Sequence, residues 1–426
     1  MLPIAHDGEI VSPLSRKNYR PKSRPTLTEH EPTLAMIIAL GLMATLGPVA
    51  IDMYLPALPD IGSEMGASAS TMQLTLAGTL FGLGIGQLIV GPLSDSLGRK
   101  RPLIVGICVN IAASTLAVFA PTIGVLGIAR VFQGLGAAAA AVISLAMVRD
   151  LYSGRTVAVM LSRLLLVIGA APLLAPSIGG AILTVVDWRG IFVVLGLIGI
   201  LTLLVALFYL PESLPVGSRQ PLAFRSILST YRVLLGDRQF SAFALAAGCG
   251  IGAMFSYVSG SSFAYQEEYG LGEQSFAVVF SIGALALILA SQINIHLLRR
   301  WTPRTIATAA VTAGSLIGTA LITLSATDNS SLIIFGIVVW FLIGTVGFLI
   351  PNVQALALSL HPDSAGSASA LLGALQFGLG AAIAPVVGAM GGTGLAIAIA
   401  MTGCIALAMG LILTLPNDRK NRRTVS

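Results

Sequence analysis

The sequence predicts an all-α integral membrane protein, with twelve transmembrane helices in two six-helix bundles and both termini cytoplasmic. Three observations carry that expectation. Of 426 residues, 55% are hydrophobic and only 10% charged, against about 25% charged in ordinary globular domains. Apolar runs recur from Leu34 to Leu415, each of roughly twenty residues and long enough to cross a hydrocarbon core of about 30 Å. Finally, all of the 24 lysines and arginines except Arg130, Arg163 and Arg189 fall in segments that alternate spans place on one side. The positive-inside rule makes that side the cytoplasm.

Taken in order, residues 1–33 form a polar tail carrying Arg16, Lys17, Arg20, Lys22 and Arg24. No cleavable signal peptide fits it, because no short apolar core precedes the full span at Leu34. A disordered cytoplasmic tail is expected. The first bundle, 34–210, holds spans 34–55, 70–92, 102–120, 122–148, 156–184 and 189–210. A cytoplasmic central loop, 211–238, follows, with Pro211, Pro215 and Pro221 among Arg219, Arg225, Arg232 and Arg238. The second bundle, 239–415, holds spans 239–264, 274–297, 304–325, 331–353, 364–390 and 394–415, and 416–426 is a second basic tail. Cations lie at Arg99, Lys100 and Arg101, at Arg149 and Arg155, and at Arg299, Arg300 and Arg304; Asp60, Glu64, Asp187, Glu267, Glu268, Glu273 and Asp328 fall in the opposite connections. An odd number of spans would put one basic terminus outside.

The halves echo each other. Leu97-Gly98-Arg99-Lys100-Arg101-Pro102 after the second span matches Leu298-Arg299-Arg300-Trp301-Thr302-Pro303 after the eighth, and Ala175-Pro176 through Gly180 matches Ala384-Pro385 through Gly388. Repeated bundles of this kind serve alternating access in secondary transporters. The 47 glycines, many inside spans, suit close helix packing. Cys108, Cys249 and Cys404 sit singly in separate runs and the four histidines are scattered, so no metal or cofactor is expected.

Ionisable groups inside a bilayer cost about 2.5–3.5 kcal/mol each on insertion scales and need a reason. Asp52 is the one acid placed within a span, flanked by Pro48 and Pro56. It reads either as a proton-coupling acid that also meets substrate, or as a residue at the water boundary. Arg130 lies within the fourth span in Ala129-Arg130-Val131-Phe132-Gln133-Gly134. A buried guanidinium keeps its proton and must find a partner, so it is expected near Asp52, or as a tie between helices. Arg163 is close enough to the cytoplasmic end to snorkel. In the fifth span Gly169, Pro172, Pro176, Gly179 and Gly180 combine kinks with small residues, as suits a helix that bends during gating. Candidate substrate contacts are Asp52, Met53, Tyr54, Gln133, Tyr257, Trp340, Asn352 and Gln376, polar and adaptable apolar groups that could equally pack helices. The charged stretch Gly91-Pro92-Leu93-Ser94-Asp95-Ser96-Leu97-Gly98-Arg99-Lys100-Arg101 is read as a cytoplasmic hinge. Its cations set orientation. Asp95, which the second copy lacks, is expected to bond a neighbouring helix end or an arginine across a gate.

That stretch resembles the signature loop of the major facilitator superfamily. Arg130 with Gln133-Gly134 is similar to its fourth-helix motif, and Gly169 to Gly180 to its fifth-helix antiporter motif. Ile51-Asp52-Met53-Tyr54-Leu55-Pro56-Ala57-Leu58-Pro59 resembles the first helix of the Bcr/CflA drug:proton antiporters, and two further stretches resemble that group: Ser162-Arg163 with Ala171-Pro172 and Ala175-Pro176, and Ala365 through Gln376. The resemblance spans roughly 34 to 415. It implies the major facilitator fold and export of lipophilic, bicyclomycin- or phenicol-like molecules in exchange for protons. Asp52 would be the proton-responsive acid, Arg130 its positive partner, and Gly91, Asp95, Gly98, Arg99, Lys100 and Arg101 a cytoplasmic gate. Some relatives carry a second acid where this chain has Ala44. The long basic tail lies outside the family pattern. The expected partners are a small lipophilic drug, protons and membrane lipid, without nucleic acid, for a monomer in the bacterial cytoplasmic membrane. The alternative is an uptake symporter on the same fold. No paired carboxylates or Ser/His pair support an enzyme, and no charged rings support a channel.

Overall fold

The computed structural model describes residues 33–327 and 331–416. Apart from Thr33 and Pro416, the expected tails lie outside the described residues, as does Asp328. Every span is helical, and twelve helical stretches are long and apolar enough to cross a membrane.

α1 (Leu34–Asp52) gives way to a turn and a single 3-10 turn, Leu55–Ala57, before the short α2 (Leu58–Met65). α3 (Ala69–Leu97), α4 (Lys100–Val118), α5 (Ile123–Leu151), α6 (Gly154–Leu183) and α7 (Arg189–Phe208) complete the first half. α8 (Phe224–Gly236) lies in the central segment, where the sequence suggested only a loop. The second half comprises α9 (Arg238–Phe263), which continues into a π-helical turn at Ala264–Glu268, then α10 (Glu273–Leu297), α11 (Pro303–Ala326), α12 (Leu332–Ser359), α13 (Ala365–Ala389) and α14 (Gly394–Leu413). We call the end carrying Asp60, Glu64, Asp187 and Glu273 the acidic end. The end carrying Arg99–Arg101, Arg149 and Arg304 is the basic end.

Local chemistry starts these helices. Side chains of Thr33, Ser68, Thr122, Asp237, Thr302, Ser331 and Thr393 accept N–H bonds from the first turns of α1, α3, α5, α9, α11, α12 and α14, the usual N-cap arrangement. Proline spacing ends α1. The N–H groups that would continue the helix from the carbonyls of Asp52 and Leu55 belong to residues 56 and 59, and both are proline. By contrast α3 runs straight through Gly91 and Pro92, so the expected hinge is confined to Gly98 (φ 91°). The carbonyl that Pro92 cannot serve is that of Leu88, and Tyr231 of α8 donates its hydroxyl to it at 3.4 Å.

Helices of the first half pack through α3–α5, α4–α5, α4–α7 and α1–α6, and those of the second through α9–α13, α9–α14, α11–α12 and α10–α12. The α3–α5 crossing depends on two glycines. A Cβ on Gly82 would enter the backbone at Val131, and one on Gly134 the carbonyl of Thr79. The halves meet along α3–α13 and α6–α10. Side chains tie them from mid-depth to the acidic end. Gln73 donates to Ser259 O (3.2 Å), Ser262 to Leu55 O (2.6 Å), Gln266 to Pro56 O (3.2 Å) and Ser281 to Leu173 O (2.8 Å). At the basic end no side-chain hydrogen bond joins one half directly to the other among the described residues. The structure is closed at the acidic end.

Candidate functional site

The broken end of α1 gathers the site. Asp52 is 6% exposed, and its carboxyl group has no hydrogen-bond or ion-pair partner among the described residues. Arg130, fully buried on α5, reaches this same end but does not pair with the carboxylate. Its Nη1 donates to the Ala50 carbonyl at 3.0 Å and to Gln133 Oε1. The guanidinium lies 4.6 Å from the Tyr54 ring centroid and 5.8 Å from that of Phe192, within the range of cation–π attraction.

The expected Asp52–Arg130 partnership is therefore corrected, and helix geometry gives the reason. A helix end leaves its last carbonyls without intrahelical donors and carries the negative pole of the helix dipole. Met53 N–H serves Val49 O, leaving Ala50 O for the arginine. Ala50 and Asp52 differ by about 200° around the helix axis, so facing one does not mean facing the other. Nε and Nη2 of Arg130 have no acceptor. A buried guanidinium with two nitrogens lacking acceptors and, on another side of α1, a carboxyl without a partner make this helix end short of hydrogen-bond partners.

The neighbouring candidates pack tightly. Tyr54 is fully buried and shares a 2.9 Å hydrogen bond with Thr75 of α3. Met53 is buried, and its carbonyl lies where a Cβ on Gly179 would fall. Gln133 uses both ends of its amide, accepting from Arg130 and donating to Ser114 Oγ at 2.9 Å. It ties α4 to α5.

The other substrate candidates do not converge here. Tyr257 stacks on Phe280 at 5.4 Å and meets Tyr265 edge-on within the second half. Trp340 donates to Ile282 O at 3.0 Å and borders an apolar groove of about 420 Å³ beside α10 and α12. More than half of the surface of Ile337 and Phe341 in that groove is exposed, so it opens on the outside of the helix bundle. Asn352 donates to Asn294 Oδ1 and Phe348 O, both at 2.7 Å. Gln376 of α13 keeps a buried Nε2 with no acceptor and alone among these four has a donor to offer.

At the basic end Asp95 bonds Arg99 of its own loop at 2.5 Å, not an arginine of the other half. Arg99, 8% exposed, also bonds Asp150 at the end of α5 (2.8 Å) and Ser94 (2.8 Å). Glu212 covers the first turn of α4, accepting from Arg99 N at 2.8 Å and Lys100 N at 3.2 Å. Burial opposes its charge, but these N–H bonds, that from Leu214 and the nearby Arg219 outweigh it and hold its pKa below the usual range. A Cβ on Gly98 would meet only the ends of the flexible Glu212 and Arg219 side chains, so it is the positive φ that favours glycine here. Lys100 Nζ donates to Leu207 O and Leu210 O at 2.8 and 3.0 Å, closing the end of α7. Arg304 does the same for α14 through Leu415 O and Ile412 O, at 2.5 and 3.3 Å. Cations at the head of the third helix of each half thus cap the sixth. Arg101 is exposed.

Gly179 is the tight contact of the fifth-span motif. Gly180 makes ordinary contact with α10, and Gly169, like Gly91, has no other segment's atom within 4 Å of a Cβ position. Pro172 and Pro176 lie inside α6, which stays helical throughout. The sequence reading missed Asp150, Glu212, Ser262 and Gln266. Pro59 was the available signal for Ser262, since it leaves the Leu55 carbonyl open to an outside donor.

Residues 40–385 match the model of the Major Facilitator Superfamily. The chain is 40% identical over 374 residues to the uncharacterized MFS-type transporter YdgK of Bacillus subtilis (strain 168), covering 84% of this chain and 90% of that one. It is 30% identical over 364 residues to the bicyclomycin resistance protein homolog of Haemophilus influenzae, covering 85% and 91%. Among solved structures, a bacterial homolog of the human lysosomal transporter Spinster, in an inward-facing and unoccupied conformation, superposes with TM-score 0.70 at 14% identity, over 88% of this chain and 95% of that one. With its twelve apolar helices, the chain is a multi-pass protein of the cytoplasmic membrane and belongs to the major facilitator superfamily.

Proposed function

We propose that this transporter exports lipophilic, antibiotic-like molecules in exchange for protons by alternating access. In this reading both termini and the basic end face the cytoplasm, and the chain works as a monomer without a cofactor or catalytic chemistry. The family membership and the resistance relative support drug export. The observation that carries proton coupling is Asp52, a buried carboxyl with no partner among the described residues, at the same broken helix end whose Ala50 carbonyl holds Arg130.

Such a carboxyl can exist charged or neutral only at different cost. When Asp52 is ionised, its charge has no donor among the described residues in this closed state, which favours a rearrangement of the broken end of α1 that brings one. When Asp52 is protonated, Arg130 keeps its bonds to Ala50 O and Gln133. Protonation from outside would release substrate outward, and proton loss on the cytoplasmic side would restore binding. Gln376, with its idle amide, is a candidate second contact for a substrate acceptor.

Replacing Asp52 by Asn keeps size and polarity but removes the proton site. Cells expressing D52N should lose resistance to bicyclomycin- and phenicol-type compounds, and membrane vesicles should lose drug-induced proton movement, with normal insertion. Full resistance with D52N would overturn the coupling role.

A further inference from the structure

We infer that Ser262 and Gln266 form the latch that holds the acidic end shut and ties its opening to the chain segment bearing Asp52. The inference rests on the alternating-access reading above and adds the residues that carry the gate's movement to the site.

Residues 53–57 are gripped on several sides. The first half holds this segment and the helix end before it through Arg130 on Ala50 O, the Tyr54–Thr75 hydrogen bond, and the seating of Gly179 against Met53 O. These grips belong to one half and can persist when the halves separate. Two bonds come from the other half. Ser262 donates to Leu55 O at 2.6 Å, and Gln266 to Pro56 O at 3.2 Å, with Gln266 also braced on Ser262 Oγ at 2.8 Å. The Leu55 carbonyl can receive Ser262 because it makes only a 3-10 bond, to Leu58 N, and Pro59 has no N–H with which to compete.

Opening the acidic end must break both bonds. They sit three and four residues beyond Asp52 on a segment with no regular α-helical bonding, so movement at Leu55–Pro56 is passed along the backbone to the carboxyl. A rotation of α1 that satisfies ionised Asp52 would in turn strain the latch. Ser262 and Gln266 are positioning residues: they need not touch substrate or proton.

A cross-link reads the gate independently of transport. A Cβ placed on Gly180 lies 3.6 Å from that of Ala277 in the other half, within the range a disulfide bridges. The experiment uses full-length protein with Cys108, Cys249 and Cys404 replaced by alanine, carrying Gly180→Cys and Ala277→Cys. Oxidation should close the acidic end and stop drug transport, with recovery on reduction; transport by the oxidised protein would overturn alternating access itself. Adding Ser262→Ala and Gln266→Ala should slow cross-linking by about fivefold for each hydrogen bond removed, while Ser262→Thr, which keeps the hydroxyl, should restore the rate. The pH at which transport is half-maximal should also move in the alanine variants. Unchanged cross-linking in Ser262→Ala/Gln266→Ala, or equal slowing by Ser262→Thr, would overturn the latch while leaving alternating access standing. Size-exclusion profiles of each variant confirm that folded protein is compared.

Discussion

Two glycines of one motif should respond oppositely to the same substitution. In α6 a methyl group at position 179 would collide with the carbonyl of Met53, a backbone atom that cannot swing aside as a side chain can. The helices must then separate near Asp52, and overpacking of this kind costs about 1–3 kcal/mol. Alanine gains about 1 kcal/mol over glycine in a helix interior, so Gly179→Ala should cost roughly 0–2 kcal/mol net. At position 169 the same methyl meets no other segment, and Gly169→Ala should gain about 1 kcal/mol. Thermal unfolding of purified protein in detergent measures both. Transport should fall in Gly179→Ala, because the displaced α6 takes its support from the segment after Asp52. If Gly169→Ala destabilises as much as Gly179→Ala, or Gly179→Ala keeps full stability and transport, the packing argument fails.

The remaining expectations concern the basic end. Lys100→Met and Arg304→Met each remove a cation from a helix C-terminus; each should cost about 1 kcal/mol in unfolding measurements, and similar losses in the two variants would support their equivalent capping roles. Asp237 caps α9 through Gln239 N (2.8 Å) and pairs with His361 (2.9 Å). Burial opposes its charge, but these bonds and that from Phe240 outweigh it and lower its pKa. Because the folded pKa is depressed, the carboxylate's contribution is present above the ordinary aspartate range, about 4, and is lost as pH falls through the folded value. Asp237→Ala should cost about 1 kcal/mol at neutral pH, and the gap from the parent protein should narrow on acidification. A gap that does not change with pH would refute the charge-based account.

Much of this was legible in the chain because it depends on neighbours in sequence. Span length is a count of apolar residues. The N-caps are single Ser, Thr and Asp residues at span starts, and the break in α1 follows from Pro56 and Pro59. Arg130 was recognisable as a residue in need of partners, since a buried cation always is. Its partners were not. Whether it met Asp52 or Ala50 O depended on how far α1 is rotated toward α5, and two residues of sequence separate opposite sides of that helix.

The glycines show the same boundary. Gly169, Gly179 and Gly180 look alike as a motif, yet only the packing of α6 against the end of α1 makes position 179 intolerant of a methyl group. Nothing near Glu212 in sequence marks its role, because the N–H groups it accepts from belong to the first turn of α4. The sequence by itself determined twelve apolar helices, their starts and breaks, and the few ionisable groups that had to be explained, because chain-local hydrogen bonding and hydrophobicity suffice for those. Only the tertiary structure decided which carbonyl holds Arg130, which glycine lies in contact, and that the halves are tied at the acidic end. Each of these depends on the depth and rotation of helices that are distant in sequence, and no local pattern encodes them.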